Sequence, residues 1–318
     1  MRAVGLATVW LPVVAWGLWA GGAVLWTDGG PSGVRVLVLL FALALVVGVA
    51  VTAREALAPL LAMLLLTASF WFASRTPRAD RPWRPEQSRM PRVASFAEGF
   101  TVHDQRAFRW SSPTEATPGW ATESYRYDAL VGADLGISRF SELEAMAHVF
   151  VSFRFDDGRV LVASVEVRKE EGESFHPVRG LYKHYEKMVV LGDERDLVHL
   201  RAVVLEERVE LHPLDVPVEQ VEVFLRSVLD EAEELHQTPR WYHTVLASCS
   251  TSLSTHLRRM GALPLDHRVL FPGYADQLAH ELGWLGGRPL AELREAHRVD
   301  LRARELGEGG DFSAGLRR

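Results

Sequence analysis

The chain has 318 residues, 35 Lys+Arg against 41 Asp+Glu, a single cysteine and a net charge of −6. Five charged residues (Arg2, Asp28, Arg35, Arg54, Glu55) precede residue 74 and the other 71 follow it, dividing the net charge into +1 and −7. An acidic domain does not suit a phosphate backbone, so nucleic acid is excluded as the main partner. One cysteine, Cys249, rules out an internal disulfide and a Cys-clustered zinc site.

Three uncharged runs, Ala3–Trp26, Val36–Ala53 and Ala56–Ala73, are each long enough on paper for a hydrocarbon core of about 30 Å. The expectation is therefore a membrane domain of three transmembrane helices over residues 1–74. Turn residues Asp28–Gly33 and the pair Arg54-Glu55 separate the runs, and Trp10, Trp26, Trp71 and Trp83 mark their ends. Gly17 and Gly21 form a GxxxG spacing that chance in a Gly-rich run explains. Residues 75–92, rich in Pro and Arg, read as a linker, and 93–318 as the globular domain. The arginines from Arg75 to Arg92, counted alone, place that domain in the cytoplasm.

Within the domain, Arg106–Trp110 reads as a short strand and Ser111–Gly119 as a loop. Ala147–Phe155 and Arg159–Arg168 are β-rich runs joined by Asp156-Asp157-Gly158, a three-residue hairpin loop with Gly158 left-handed. If Phe155 faces Arg159, paired positions sum to 314, and His148 stands opposite Glu166 on one face. Leu197–Leu205 and Val209–Leu214 read as further strands. Pro217–Gln237 is helical, with Val221, Phe224, Leu225, Val228, Leu229 and Ala232 on one side. A second helix starts near Ser248 and ends at Gly261, a third spans Leu290–Arg304, and the last dozen residues fray.

Cys249 thus stands where a helix begins, and free N–H groups there lower a thiol pKa. Cys249 as nucleophile, His148 as base and Glu166 as orienting group make a thiol-catalysis constellation. Each has a plainer reading: a lone cysteine among small residues is often inert packing, and a lone histidine is more often structural. The Gly192–Asp196 segment with Arg201 suits an ion-pair network within the sheet. No HExxH, Walker loop or dinucleotide fingerprint occurs, and neither cofactor nor metal is expected.

The stretches Ala147–Phe153, Ser164–Arg168, Gly180–Glu186, Gly192–Leu197, Tyr242…Thr251 and Gly273–Asp276 resemble, in order, the extracytoplasmic domain of Lnb-type bacterial lipoprotein N-acyltransferases. The resemblance spans roughly Trp83–Arg304. It implies an α+β, permuted papain-like (lecithin–retinol acyltransferase-like) fold, with an antiparallel sheet packed on helices. It also implies catalytic roles for Cys249, His148 and Glu166, with Tyr242, Ser248, Arg168, Glu186 and Arg195 binding substrate or supporting the site. Ser248 departs from the family's usual Asn before the cysteine, although a serine still caps a helix. The implied reaction moves an acyl chain from a lipid or lipoprotein ester to an amine through a thioester. The implied setting is the bacterial inner membrane with the domain on the periplasmic side, against the charge count, and the partners are membrane lipid, lipoprotein and the bilayer. A cysteine peptidase or amidase of the envelope, or a non-enzymatic envelope module, are the competing readings.

Overall fold

The structure, a computed structural model, describes residues 15–27, 58–261, 266–307 and 311–318. It is α+β and falls into two compact units. The first comprises Met1–Arg78, Ser174–Glu186 and Trp241–Thr244, and the second comprises Ala79–Glu173, Lys187–Arg240 and Val245–Arg318.

In the first unit a helical run over 15–26 and helix α1 (Ala58–Ser74) are joined by a Trp16 Nε1 donation to Ser69 Oγ, 2.9 Å, and by Trp19 edge-on to Phe72. Lys183 Nζ donates to the carbonyls of Phe72 and Ala73 at the end of α1, where a cation complements the helix dipole. Among the described residues no helix is long and apolar enough to cross a membrane. This overturns the expectation of three transmembrane helices. Helix α1 has 17 residues, about 25 Å of rise against a hydrocarbon core of about 30 Å. The first expected span is described as helix only over 15–26, and the second lies outside the described residues. Trp83, expected at a membrane interface, is instead buried in the second unit with the Arg168 guanidinium over its ring at 4.3 Å.

The second unit is built on strands β1 (Arg92–Ser95), β2 (Gly99–Arg106), β3 (Arg109–Ser112), β4 (Glu115–Thr117), β5 (Trp120–Arg126), β6 (Leu130–Arg139), β7 (His148–Phe155), β8 (Val160–Arg168), β9 (Glu186–Gly192) and β10 (Arg208–Pro213). Eight form one sheet in the order β1-β2-β9-β8-β7-β6-β10, with β5 also on β2. The expected antiparallel sheet is in fact mixed, because β2 and β9 run parallel at Arg106↔Gly192. The stretch expected to loop after residue 111 forms the separate β3–β4 ribbon.

Alternation along the strands divides the apolar side chains between two cores. Ile137, Val149, Val151, Phe153 and Leu161 face helix α3 (Val218–Gln237) and helix α4 (Cys249–Met260). All six apolar positions picked out on α3 are buried. Phe150 and Val162 point the other way, into a core with Leu197, Val198 and Ala202. Those three belong to helix α2 (Glu194–His199) and the π-helical turn Leu200–Val204, where a strand was expected. The Asp193 carboxylate accepts the Asp196 N–H and caps α2, so helical spacing wins over β-branched composition.

Helices α5 (Ala275–Glu281), α6 (Leu290–Ala296), α7 (Asp300–Leu306) and α8 (Phe312–Leu316) follow. The single helix expected over Leu290–Arg304 breaks at 297–299 because that backbone pairs with β10: Leu211 N donates to His297 O and Val299 N to Val209 O. The C-terminus does not fray. Phe312 and Leu316 are buried, and Arg317 is ion-paired with Asp134 and Glu194.

Candidate functional site

The hairpin register is the one computed from the loop: Val151↔Ala163, Ser152↔Val162, Phe153↔Leu161 and Arg154↔Val160 each sum to 314. Gly158 has φ +84°, and Phe155 N donates to Arg159 O. The described β7–β8 pairing reaches no further than Val151↔Ala163, three residues short of His148. In an antiparallel ladder alternate residues form the hydrogen-bonded pairs, here 155, 153 and 151. Val149 is next, and its N–H addresses the sulfur of Cys249.

Cys249 is the first residue of α4 and is 8% exposed. Ser248 caps the helix: its hydroxyl accepts the Thr251 N–H while the Thr251 hydroxyl accepts the Ser248 N–H, a reciprocal capping box. The helix is pinned two turns later, where His256 Nδ1 meets Ser227 Oγ at 2.7 Å and its Nε2 meets Glu231 Oε2 at 2.7 Å. Burial pushes the Cys249 thiol up, and the N–H groups of Val149 and Ser250, with the Arg201 charge, offset part of that. The resting sulfur is a thiol, and reaction requires a base.

His148 opens β7 and lies against the ring of Phe150, on the strand face opposite Val149. Its Nε2 is 2.7 Å from Ser164 Oγ, and that hydroxyl donates to Glu166 Oε1 at 3.1 Å. Ser164 thus bridges the two residues that the register places opposite each other. The Arg201 guanidinium donates to the same Glu166 oxygen at 3.1 Å and lies 3.7 Å from Glu207. Enclosure, then the Arg201 charge, drives the His148 pKa down to about 3. For Glu166 burial acts upward, yet Arg201 and Arg106 outweigh it and hold the carboxyl at about 2. The pair is therefore neutral imidazole beside ionised carboxylate. No hydrogen bond joins His148 to Cys249, which packs with Val149 in the core on the other strand face.

The other expected site residues have contacts of their own. Arg168 is buried, donating to the carbonyls of Gln87 and Ser88. Arg195 donates to Gly307 O and packs over Phe312. Glu186 and Tyr242 belong to the first unit, where Glu186 accepts the Arg78 N–H at 2.5 Å and Tyr242 N donates to Tyr185 O. Arg201 does not join Gly192–Asp196. Asp196 instead takes Arg106 bidentately at 2.9 and 3.1 Å, together with the Phe108 N–H and Trp110 Nε1–H.

The sequence reading missed Ser164, although it shares a strand face with Glu166 two residues on and was legible by alternation alone. It also missed a narrow apolar cleft, with a free volume of about 50 Å³, between the opposite sheet face, which carries Val149 and Val151, and helices α3, α4 and α5. Val149 and Ser250 line it beside the thiol, and Leu253, Leu257, Phe224 and Trp284 continue it. These residues come from four separate segments, so no local motif announces them. One buried trio, Glu210, His212 and Asp276, brings potential metal-ligand atoms within 4.8 Å of one another. Arg139 already bridges its two carboxylates, at 3.1 and 2.9 Å, so a guanidinium holds the place of a cation.

Residues 116–273 match the Lnb N-terminal periplasmic domain family, a stretch that contains His148, Ser164, Glu166, Arg201 and Cys249. No curated protein and no solved structure matches the chain.

Proposed function

We propose, with the Lnb N-terminal periplasmic domain at residues 116–273 as the premise, that this chain transfers acyl groups through a thioester on Cys249. The thiol sulfur attacks the carbonyl carbon of a lipid or lipoprotein ester, the C–O bond breaks, and the alcohol leaves with the thiol proton. An amine then attacks the thioester, the C–S bond breaks, and the proton returns to sulfur with an amide as product. A base must carry the proton in both steps; the candidate is His148, which Glu166 reaches through the Ser164 hydroxyl.

The observation that carries this reading is the apolar cleft whose lining begins at Val149 and Ser250, the two residues whose N–H groups address the sulfur. A peptidase would need polar groups along such a cleft to satisfy a peptide backbone. Here the lining is aliphatic and aromatic apart from Ser250, Ser254 and Arg268, which suits an acyl chain.

Intact-mass measurement of wild type and Cys249→Ala, after incubation with phospholipid or a diacylated lipopeptide, tests it. The expected result is one added acyl mass on wild type alone, released by hydroxylamine. If no adduct forms while a small thiol reagent still labels Cys249, the acyl-transfer reading falls and an amidase takes its place. If the reagent also fails in the folded protein, Cys249 is no nucleophile.

A further inference from the structure

We infer that residues 266–271 form a lid over the apolar cleft, and that a phospholipid surface opens it by taking up the side chains of Leu270 and Phe271. This rests on the cleft being the acyl-chain site proposed above. In this structure the cleft has a free volume of only about 50 Å³. An apolar cavity of about 150 Å³ holds benzene, so a long acyl chain needs the cleft to widen. The sheet and α3 give it an inner wall of buried side chains, among them Val149, Val151 and Phe224. The partly exposed lining is Leu257, Arg268, Val269, Ala275 and Trp284. Of this outer wall, Arg268 and Val269 sit in one 3₁₀ turn, His267–Leu270.

That turn is lightly held. Among the described residues, the backbone hydrogen bonds of 266–271 stay within the segment or run on to Tyr274. Its side-chain tie to α5 is Arg268 to Glu281 at 2.7 Å, and Glu281 is exposed, so water screens the pair. Helix α5 itself is fixed, because buried Asp276 accepts from both Arg139 and Arg294. Gly273 is fixed too: its N–H donates to Ala145 O, its carbonyl accepts from Arg139, and a Cβ there would collide with the Glu144 carbonyl. Movement therefore stops at Gly273. Outward from the turn point Leu270 and Phe271, and the 140–147 connection that Gly273 touches adds Phe140, Leu143 and Met146, each 40% exposed or more. The acids beside them are paired, Glu144 with Arg294, and Asp266 and Glu281 with Arg268. An apolar rim with its charges paired, at the mouth of an apolar cleft, suits a zwitterionic phospholipid surface and needs no anionic lipid. Burying Leu270 and Phe271 in that surface draws Arg268 and Val269 off the cleft.

The test reads docking and opening separately in the full chain carrying Cys249→Ala. A nitroxide on Leu270→Cys or Leu143→Cys should, with phosphatidylcholine vesicles, gain contact with oxygen and lose contact with a nickel chelate. A nitroxide on Asp157→Cys, beyond the other end of β7, should stay in water. Leu270 and Leu143 are exposed, so neither label asks the fold to repack. The distance between nitroxides on Leu270→Cys and Val223→Cys of α3 should lengthen on vesicles by more than about 2 Å, the scale of a loop rearrangement. A label at 270 that stays accessible to nickel, or that docks with the distance unchanged, would overturn the inference. So would shielding without lipid that grows with protein concentration, the mark of a second copy on the rim. Cys249→Ala forms no thioester, so these readouts stand apart from acyl transfer, which the mass measurement on wild type decides.

Discussion

Lowering the pH from 7 to 5 should destabilise this protein through His148, and replacing that residue should remove the effect. The imidazole is neutral in the folded state because enclosure and the Arg201 charge hold its pKa near 3, while in the unfolded chain it titrates at 6.5. Lys169, just past β8, adds a second positive charge, and Glu166 opposes both without reversing them. Between those two pKa values the unfolded state binds the extra proton, so stability falls as pH falls from about 6.5 toward 3. Integrating the linkage from pH 7 to pH 5 gives a loss of about 2 kcal/mol from this one group. Glu166 contributes little in this window, since it titrates from 4.5 unfolded to about 2 folded. His243 and His297 are also held low, but they contribute equally to wild type and variant. Urea unfolding of wild type and His148→Gln, followed by tryptophan fluorescence at pH 7, 6 and 5, measures the difference directly. Wild type should lose about 2 kcal/mol more than His148→Gln across that range. Equal losses in both would refute a neutral, enclosed His148.

Two further outcomes follow from packing. Asp196→Ala removes the carboxylate that satisfies Arg106, Trp110 and the Phe108 amide, and should cost about 3–5 kcal/mol in thermal or urea unfolding. The double variant with Arg106→Met should recover much of that, because no charge is then left buried, and a double variant no better than the single would count against the ion-pair account. Ala279→Trp places a large ring in the apolar cleft lined by Ala279 and Leu257. Thioester formation from long-chain donors should then fall at least about tenfold while short-chain esters still react, and equal loss for both would mean that the cleft does not hold the chain.

Local chemistry made a good part of this architecture legible. The Asp156-Asp157-Gly158 loop sets the β7–β8 register, because a left-handed glycine in a three-residue turn leaves one pairing that keeps the apolar faces together. Helices α3 and α4 were readable from periodicity and from Ser248 as a cap, since helix faces and ends are short-range properties. The same short-range reasoning failed where the deciding partner is distant. Leu197–Leu205 looks like a strand by composition, but Asp193 caps a helix there and Leu197, Val198 and Ala202 find a core supplied by Phe150, Val162 and Phe312. The uncharged run ending at Ala73 has the hydropathy of a span, yet its helix is 17 residues long and its last carbonyls accept from Lys183, more than a hundred residues away.

The candidate site divides in the same way. Sequence alone nominated Cys249, His148 and Glu166 and, through strand alternation, set His148 and Glu166 on one face, because a period of two needs no knowledge of the rest of the chain. Tertiary structure alone decided that Ser164 stands between them, that Arg201 charges Glu166, and that the Val149 amide turns to a cysteine one hundred residues further on. Those are meetings of segments whose spacing in the chain sets no constraint on their distance in space, and only the packing of the sheet against α4 and the 200–204 turn brings them together.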